Sequence, residues 1–255
     1  GLLGAGVATL ISRVVMLIVF VFIFLHARRY APCRDGFRNS YVNKADSSSL
    51  MRMGMPVGLQ MGMETASFSL TAVMVGWIGT TALAAHQVML TVGQLGFMMY
   101  YGMAAAVAVL SSTYHGRSDM DSVRRIVSSG FRIILVMAAM VCVPLLVFRG
   151  QIGHLFTDDI QVAEMVSMLV IPFVIYQFGD GLQCNYSNAL RGISDVKKVS
   201  YYAFIAYFLV SLPSAYVFGF VFDWGLTGIW LSFPLGLTTA GLLFYSRYRR
   251  SICRP

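Results

Sequence analysis

The length and composition of the chain place it among membrane proteins. Its 255 residues are 57% hydrophobic and only 12% charged, with a mean hydropathy of +0.70. A soluble globular domain carries about 25% charged residues, so that class is excluded. The formal net charge is +8, but the basic residues lie between apolar stretches instead of along one face with stacking aromatics. We therefore expect a lipid bilayer as the surroundings and no nucleic acid as a partner.

Seven apolar stretches are long enough to cross a bilayer, which takes about 20 helical residues. They are residues 2–26, 53–78, 82–112, 130–149, 161–190, 196–222 and 226–246. The sequence therefore predicts an all-α polytopic membrane protein with seven transmembrane helices. Prolines inside these stretches predict bends, which membrane helices tolerate when neighbours satisfy the freed carbonyls. They are Pro144, Pro172, Pro213 and Pro234.

Basic residues predict the orientation of these spans. Clusters follow the first, third, fifth and last spans, whereas the connections between them carry few positive charges. Because positively charged loops stay on the cytoplasmic side, the chain is expected to start outside and to end with a cytoplasmic C-terminus. Residues 30–49 form the longest polar stretch and the predicted linker, and residues 46–49 and 157–159 are predicted to cap the helices that follow them.

Two carboxylates lie inside apolar stretches, Glu64 and Asp180. A charge near the bilayer centre costs at least about 2.5–3.5 kcal/mol, so each is a functional-site hypothesis by default. At ~1.5 Å of rise per residue, Glu64 lies about 18 Å from Arg52 and Asp180 about 17 Å from Arg191. Since both arginines follow the cytoplasmic pattern, the two carboxylates are expected at one depth.

Polar and aromatic side chains accompany the carboxylates and complete a predicted cavity. Neighbours at i−4 and i+3 share a helical face with each acid, and they are Gln60, Ser67, Tyr176 and Gln183. Such a cluster suits Na⁺ or a proton, because burial favours proton uptake whereas a bound metal cation holds both acids ionised. Aromatic rings attract an organic cation and methionines give an adaptable surface; the candidates are Phe68, Tyr176, Phe178, Met61 and Met63.

Structural roles, instead of ion binding, also fit these residues. Asp180 alternatively acts as a neutral acid that joins two helices, and Glu64 alternatively pairs with Arg13. The four histidines, near span ends, are expected at the interface, and the four cysteines show no metal-binding spacing. These are His26, His86, His115, His154, Cys33, Cys142, Cys184 and Cys253. No nucleotide-binding loop or hydrolase motif occurs, so we expect no enzyme and no cofactor beyond a coupling ion.

Several stretches resemble the multidrug and toxic compound extrusion (MATE) transporters, in order and spacing. They are Met55-Pro56-Val57-Gly58 with Glu64, Gly76-Trp77-Ile78-Gly79, Leu83-Ala84-Ala85-His86-Gln87, Leu155-Phe156-Thr157-Asp158, and Tyr176-Gln177-Phe178-Gly179-Asp180-Gly181-Leu182-Gln183 with Leu190-Arg191-Gly192. Because both the Glu and the Asp are present, the chain is most similar to the bacterial NorM-like branch. Residues 98–102 carry no proline where the family often has one.

The resemblance implies a twelve-helix exporter of two six-helix lobes in a bacterial inner membrane. It implies antiport, in which Na⁺ or H⁺ bound at Glu64 and Asp180 exchanges with cationic amphipathic molecules. The chain then holds the last helix of the N-terminal lobe (1–29), a cytoplasmic interlobe linker (30–49), the C-terminal lobe (50–250) and a cytoplasmic tail (251–255). The missing N-terminal lobe is the expected partner, because Gly1 is not Met and residues 1–29 resemble residues 225–250 as an internal repeat.

Two other functions fit the pattern of spans. A lipid-linked oligosaccharide flippase of related architecture is the rival within transport. A seven-helix receptor has the same predicted topology, but the last span lacks a lysine for a retinal Schiff base and no external cysteine pair is present.

Overall fold

A computed structural model describes residues 2–27, 31, 36 and 43–252. Within these residues the chain forms seven long helices and no strand, which confirms the all-α prediction. The helices are α1 (Leu2–His26), α2 (Lys44–Ile78), α3 (Thr80–Gly116), α4 (Met120–Val147), α5 (Ile160–Gly192), α6 (Val199–Val221) and α7 (Gly225–Ile252). A short helix, Arg149–Ile152, and a 3₁₀ turn, Gly153–Leu155, follow α4. By length and composition, all the long helices except α2 qualify as membrane spans.

Helix capping explains where the boundaries differ from the prediction. α2 starts at Lys44 instead of residue 53, with the Asn43 side chain accepting from the Ala45 N–H at 3.1 Å. Residues 46–49 therefore lie inside the helix, and the predicted cap there is wrong. α4 starts ten residues earlier than predicted, at Met120 rather than 130, because Asp119 accepts from the Ser122 N–H at 3.0 Å. The cap before α5 is confirmed, since Asp159 accepts from the Gln161 N–H at 2.9 Å.

The chain divides into two compact units, Gly1–Leu50 and Met51–Pro255. The first unit contains α1 and the first turns of α2. Residues 1 and 28–29 of the predicted first segment, residues 30, 32–35 and 37–42 of the predicted linker, and the tail residues 253–255 lie outside the described residues. The second unit contains the rest of α2 and α3 to α7.

Helix α5 occupies the centre of the second unit, where it packs against α3, α4 and α7. Glycines allow these close approaches. A Cβ on Gly181 would lie 2.9 Å from Ile134 of α4, and one on Gly192 would lie 2.7 Å from the Ala108 carbonyl oxygen of α3. As a result the C-terminal half of α5, which carries Asp180, is buried almost throughout.

Helix α6 is irregular. It alternates between α-helical turns and two π-helical segments, Ile205–Ser211 and Val217–Val221. Pro213 follows the first π segment, and the other three predicted prolines lie inside α4, α5 and α7. A π segment changes which side chains face a given neighbour, and such segments recur at functional sites.

The loop between α5 and α6 is attached to the end of α7. Asp195 accepts from one Nη of Arg247 at 3.0 Å and from the Ser251 hydroxyl, and its Oδ2 forms an ion pair with the Arg247 Nε at 2.7 Å. Partial burial acts to raise the pKa of Asp195, but the hydrogen bonds from Arg247 and Ser251 outweigh it and hold the pKa below its ordinary value.

Helices α6 and α7 approach so closely that one glycine is essential to their contact. A Cβ on Gly228 of α7 would lie 2.3 Å from the Phe218 carbonyl oxygen of α6, so a larger residue would force a backbone to shift. By contrast, a Cβ on Gly150, in the short helix after α4, would meet nothing within 4 Å.

We predict that Gly228→Ala lowers the free energy of unfolding of the full-length protein by about 1–3 kcal/mol, because overpacking forces α6 and α7 apart. Its melting temperature should fall accordingly. Gly150→Ala serves as the control and is expected to leave the melting temperature of the detergent-purified protein unchanged. Equal melting temperatures for Gly228→Ala and the parent protein would contradict the close packing of these helices.

Candidate functional site

Helices α2, α3, α5 and α7 line a cavity of about 420 Å³ in the second unit. Both predicted carboxylates, Glu64 and Asp180, contribute to its wall. The other lining residues are Gln60, Met61, Thr65, Phe68, Met89, Leu90, Gly93, Gln94, Phe97, Tyr101, Phe173, Tyr176, Gln183, Cys184, Ser187, Asn188, Arg191 and Trp230. The cavity therefore combines two acids with aromatic rings, amides and one guanidinium.

Asp180 is held by a tyrosine from a neighbouring helix. Its side chain is 2% exposed, and the Tyr100 hydroxyl of α3 lies 2.5 Å from its Oδ2. The same hydroxyl lies 2.8 Å from the Gln177 Oε1, one turn before Asp180 on α5. A hydroxyl has one proton to donate, so Tyr100 donates to one of these two oxygens at a time. A change in the charge of Asp180 would therefore change which oxygen receives that proton.

Glu64 is held by an amide that is shared with another tyrosine. The Gln183 Nε2 donates to Glu64 Oε2 at 3.2 Å and to the Tyr207 hydroxyl oxygen at 2.9 Å. Gln183 follows Asp180 by one helical turn on α5, whereas Tyr207 lies in the first π segment of α6. The Glu64 carboxylate is therefore connected through α5 to α6.

A guanidinium lies in the same cavity as the two acids. Arg191 was expected to mark the cytoplasmic surface, but its side chain lines the cavity and donates to the Gln60 Oε1 at 3.0 Å. Gln60 is one turn from Glu64 on α2 and is 1% exposed. The Arg191 Nε and the indole N–H of Trp230, which also lines the cavity, are buried without a hydrogen-bond partner in the described residues.

Aromatic rings form the apolar part of the cavity wall. The Phe68 ring stacks on Phe233 at 4.8 Å between centroids and meets Tyr176 edge-on at 6.4 Å. Tyr176 in turn lies 6.3 Å from Trp230. Such faces attract organic cations, most strongly when water is excluded.

The predicted cavity residues are mostly brought together. Gln60, Gln183, Tyr176 and Phe68 all line the cavity, as does Met61. Three other candidates do not line it: Ser67 is buried at 2% exposure, Phe178 is 39% exposed, and Met63 packs against the hydrophobic core. The carbonyl oxygen of Ser67 accepts a hydrogen bond from the Thr71 hydroxyl one turn later on α2.

Sequence reasoning missed the two tyrosines that connect the acids to other helices. Tyr100 and Tyr207 lie on helices whose register relative to α5 cannot be deduced from spacing. It also misplaced His86, expected at the interface, which is fully buried 5.5 Å from Trp230 with neither ring nitrogen hydrogen-bonded in the described residues. Pro213, six residues after Tyr207, signals irregular backbone, but not which side chain turns inward.

Metal-binding capacity at this site rests on few charged groups. Among the residues that the structure describes, no group of three or more His, Cys, Asp and Glu side chains is placed to hold a metal ion. A cation at Glu64 and Asp180 would therefore be coordinated mainly by neutral oxygens. Cys142 and Cys184 are buried free thiols, and Cys33 and Cys253 lie outside the described residues.

Comparison with known proteins identifies the family. The MatE family model matches residues 56–217, more than half of the chain. The chain belongs to the MatE family. It is 34% identical over 248 residues to a probable multidrug resistance protein NorM from Xanthomonas axonopodis pv. citri (strain 306), covering 97% of this chain and 54% of that protein.

Other relatives of this MatE chain agree. The multidrug resistance protein MdtK of Edwardsiella ictaluri (strain 93-146) is 30% identical over 256 residues, which cover 98% of this chain and 55% of that protein. A crystal structure of MATE in the straight conformation has a TM-score of 0.86 at 20% identity, with 98% of this chain and 56% of that chain covered. The fold is therefore shared, and the chain spans about half the length of the relatives it matches.

We predict that Tyr100→Phe destabilises the MatE chain's second unit by about 1.5–3 kcal/mol, because a hydrogen bond to a charged group is lost. Tyr101→Phe is the matched control, since Tyr101 lines the same cavity but its hydroxyl makes no hydrogen bond within the described residues. The melting temperature of the purified full-length protein measures the difference. Equal effects of the two substitutions would contradict the contact between Tyr100 and Asp180.

Proposed function

We propose that the second unit forms one lobe of an antiporter that exports organic cations in exchange for Na⁺ or H⁺. One observation carries this proposal: the Glu64 and Asp180 side chains line a single cavity together with an aromatic wall. The names of the matched relatives, which are multidrug resistance proteins, support export of foreign compounds. The membrane-spanning character of the helices supports transport across the bilayer.

The cavity suits a drug-sized cargo. Its volume of about 420 Å³ lies within the range of about 300–1,000 Å³ that is typical of small-molecule sites. The ring faces of Phe68 and Tyr176 favour a cationic, apolar molecule. The two carboxylates disfavour the pyrophosphate of a lipid-linked oligosaccharide, because like charges repel in a desolvated site. The flippase alternative is therefore less well supported than cation export.

The coupling ion and the organic cation exchange because both bind at Glu64 and Asp180. A small cation bound at Glu64 and Asp180 neutralises the negative charge that would otherwise attract the organic cation. The two ligands therefore bind alternately, and each shifts the equilibrium between inward- and outward-facing states by its difference in affinity for them. The hydrogen bonds from Tyr100 and Gln183 connect the ion occupancy of the acids to α3 and α6.

Both coupling ions remain part of the proposal. A proton needs only one carboxylate, and either acid accepts it. A dehydrated Na⁺ needs several oxygens, which the two carboxylates, the Tyr176 hydroxyl and the Gln60 or Gln183 amide oxygens would supply. We propose that a second six-helix lobe completes the cavity, since the matched relatives are about twice as long as this chain, and that α1 belongs to that lobe.

We predict that Glu64→Gln and Asp180→Asn each reduce gradient-driven export by at least about tenfold, which corresponds to losing about 1.4 kcal/mol of ion binding. The assay follows efflux of a fluorescent organic cation from vesicles that contain the full-length protein, with Na⁺ and proton gradients imposed separately. The gradient whose effect is lost identifies the coupling ion.

Glu164→Gln is the matched control for these variants, because Glu164 is an exposed acid on the same helix as Asp180. It is expected to export at the parent rate. Undiminished export by both Glu64→Gln and Asp180→Asn would reject the coupling role of the acids, even if the protein is an exporter.

A further inference from the structure

A second cavity lies away from the carboxylate site, where α3 and α7 end and α4 starts. Its volume is about 250 Å³. The lining residues are His115, Met120, Ile193, Asp195, Arg247, Arg250, Ser251 and Ile252. Under the predicted orientation this end of the unit faces the cytoplasm, because basic residues are concentrated there.

The single acid in this cavity is already neutralised. Asp195 accepts from one Nη of Arg247 and from the Ser251 hydroxyl, and its Oδ2 forms an ion pair with the Arg247 Nε. Arg247 is held in place by this pair, with its side chain 22% exposed. The guanidinium has five N–H donors, so donors remain on its second Nη. The ion pair with Asp195 therefore fixes the Arg247 guanidinium at the cavity wall and leaves N–H donors free for a ligand.

Two further basic side chains in the wall lack a partner. Arg250 follows Arg247 by three residues, which places it on the same face of α7, and it makes no hydrogen bond or ion pair within the described residues. The His115 Nδ1 is buried and has no hydrogen-bond partner there either. At the rim, Arg124 donates to the Ile252 carbonyl oxygen at 3.4 Å. Two acids flank Met120 in the sequence: Asp121 forms an ion pair with Arg124 at 3.7 Å, and Asp119 accepts from the Ser122 N–H.

We propose that this cavity binds the phosphate group of an anionic phospholipid. Basic pockets between transmembrane helices at the membrane surface bind such headgroups, and arginine binds phosphate through paired N–H donors. Arg247 and Arg250 supply that pair of cations, and the His115 Nδ1 supplies a further polar contact. Met120, Ile193 and Ile252 give an apolar lining against which the glycerol and the first acyl carbons pack.

Ligand binding at this position joins separate elements. The residues that would hold the phosphate come from α3 and α7, and the loop attached to α7 through Asp195 leads into α6. A ligand that binds only the native arrangement stabilises it by mass action. An anionic lipid should therefore raise the melting temperature of the protein, independently of whether Glu64 and Asp180 couple to an ion.

The test compares lipid binding by the full-length protein and by Arg250→Gln. Arg250 is exposed and makes no contact that folding requires, so the variant should fold. Arg249→Gln is the matched control: it removes the same charge one residue away, from a side chain that packs over the Tyr245 ring at 5.8 Å and does not line the cavity. Phosphatidylglycerol, phosphatidylcholine and glycerol 3-phosphate are titrated separately, with native mass spectrometry and melting temperature as readouts.

We expect phosphatidylglycerol to bind more tightly than phosphatidylcholine and Arg250→Gln to weaken it about tenfold, as loss of one charge-assisted contact would. Arg249→Gln should stay close to the parent affinity. Competition by glycerol 3-phosphate that also depends on Arg250 would show that the headgroup alone suffices, whereas Arg250-dependent lipid binding without competition would show that the acyl chains are required. No preference for phosphatidylglycerol, or equal weakening by both substitutions, would overturn the proposal.

Discussion

A buried carboxylate, Asp180, and a half-buried one, Glu64, impose the constraint that the rest of this unit satisfies. An isolated charge at this depth costs at least about 2.5–3.5 kcal/mol, so the surrounding helices have to supply donors. Tyr100 of α3 reaches Asp180, and Gln183 of α5 reaches Glu64 while also contacting Tyr207 of α6. Four helices therefore meet at the acids. A change in the charge of either acid alters hydrogen bonds that join several of these helices.

The helices can converge on these acids because of local backbone features. Glycines on α5 let α3 and α4 approach the segment that carries Asp180, and a π segment in α6 contains Tyr207. The guanidinium of Arg191, paired with Gln60, adds a positive charge to a cavity that would otherwise be purely acidic. The resulting site is mixed in charge and has an aromatic wall, two properties on which the proposed binding of an organic cation rests.

Periodicity and composition predicted most of the architecture and part of the site. The long helices follow from hydropathy alone, and spacing along one helix predicted Gln60, Tyr176 and Gln183 beside the acids, where they line the cavity. Contacts between helices could not be predicted in this way, because Tyr100, Tyr207 and Arg191 depend on the rotation and tilt of one helix against another. The prediction that Ser67 lines the cavity is wrong for a related reason. Ser67 lies one turn from Glu64 on α2, but not on the part of that face that borders the cavity. Boundaries shifted where a polar cap, such as Asp119, extended a helix beyond its apolar core.

The central claim is that Glu64 and Asp180 act as one binding site, and a double-mutant cycle on cation binding tests it most directly. The affinity of the purified full-length protein for Na⁺, or for protons where Na⁺ does not bind, is measured for the parent, Glu64→Gln, Asp180→Asn and the double variant. A shared site predicts that the double variant loses little more than either single variant, with an interaction energy of about 0.5–3 kcal/mol. Strictly additive losses would contradict the claim, because they would mean that the two acids bind cations independently.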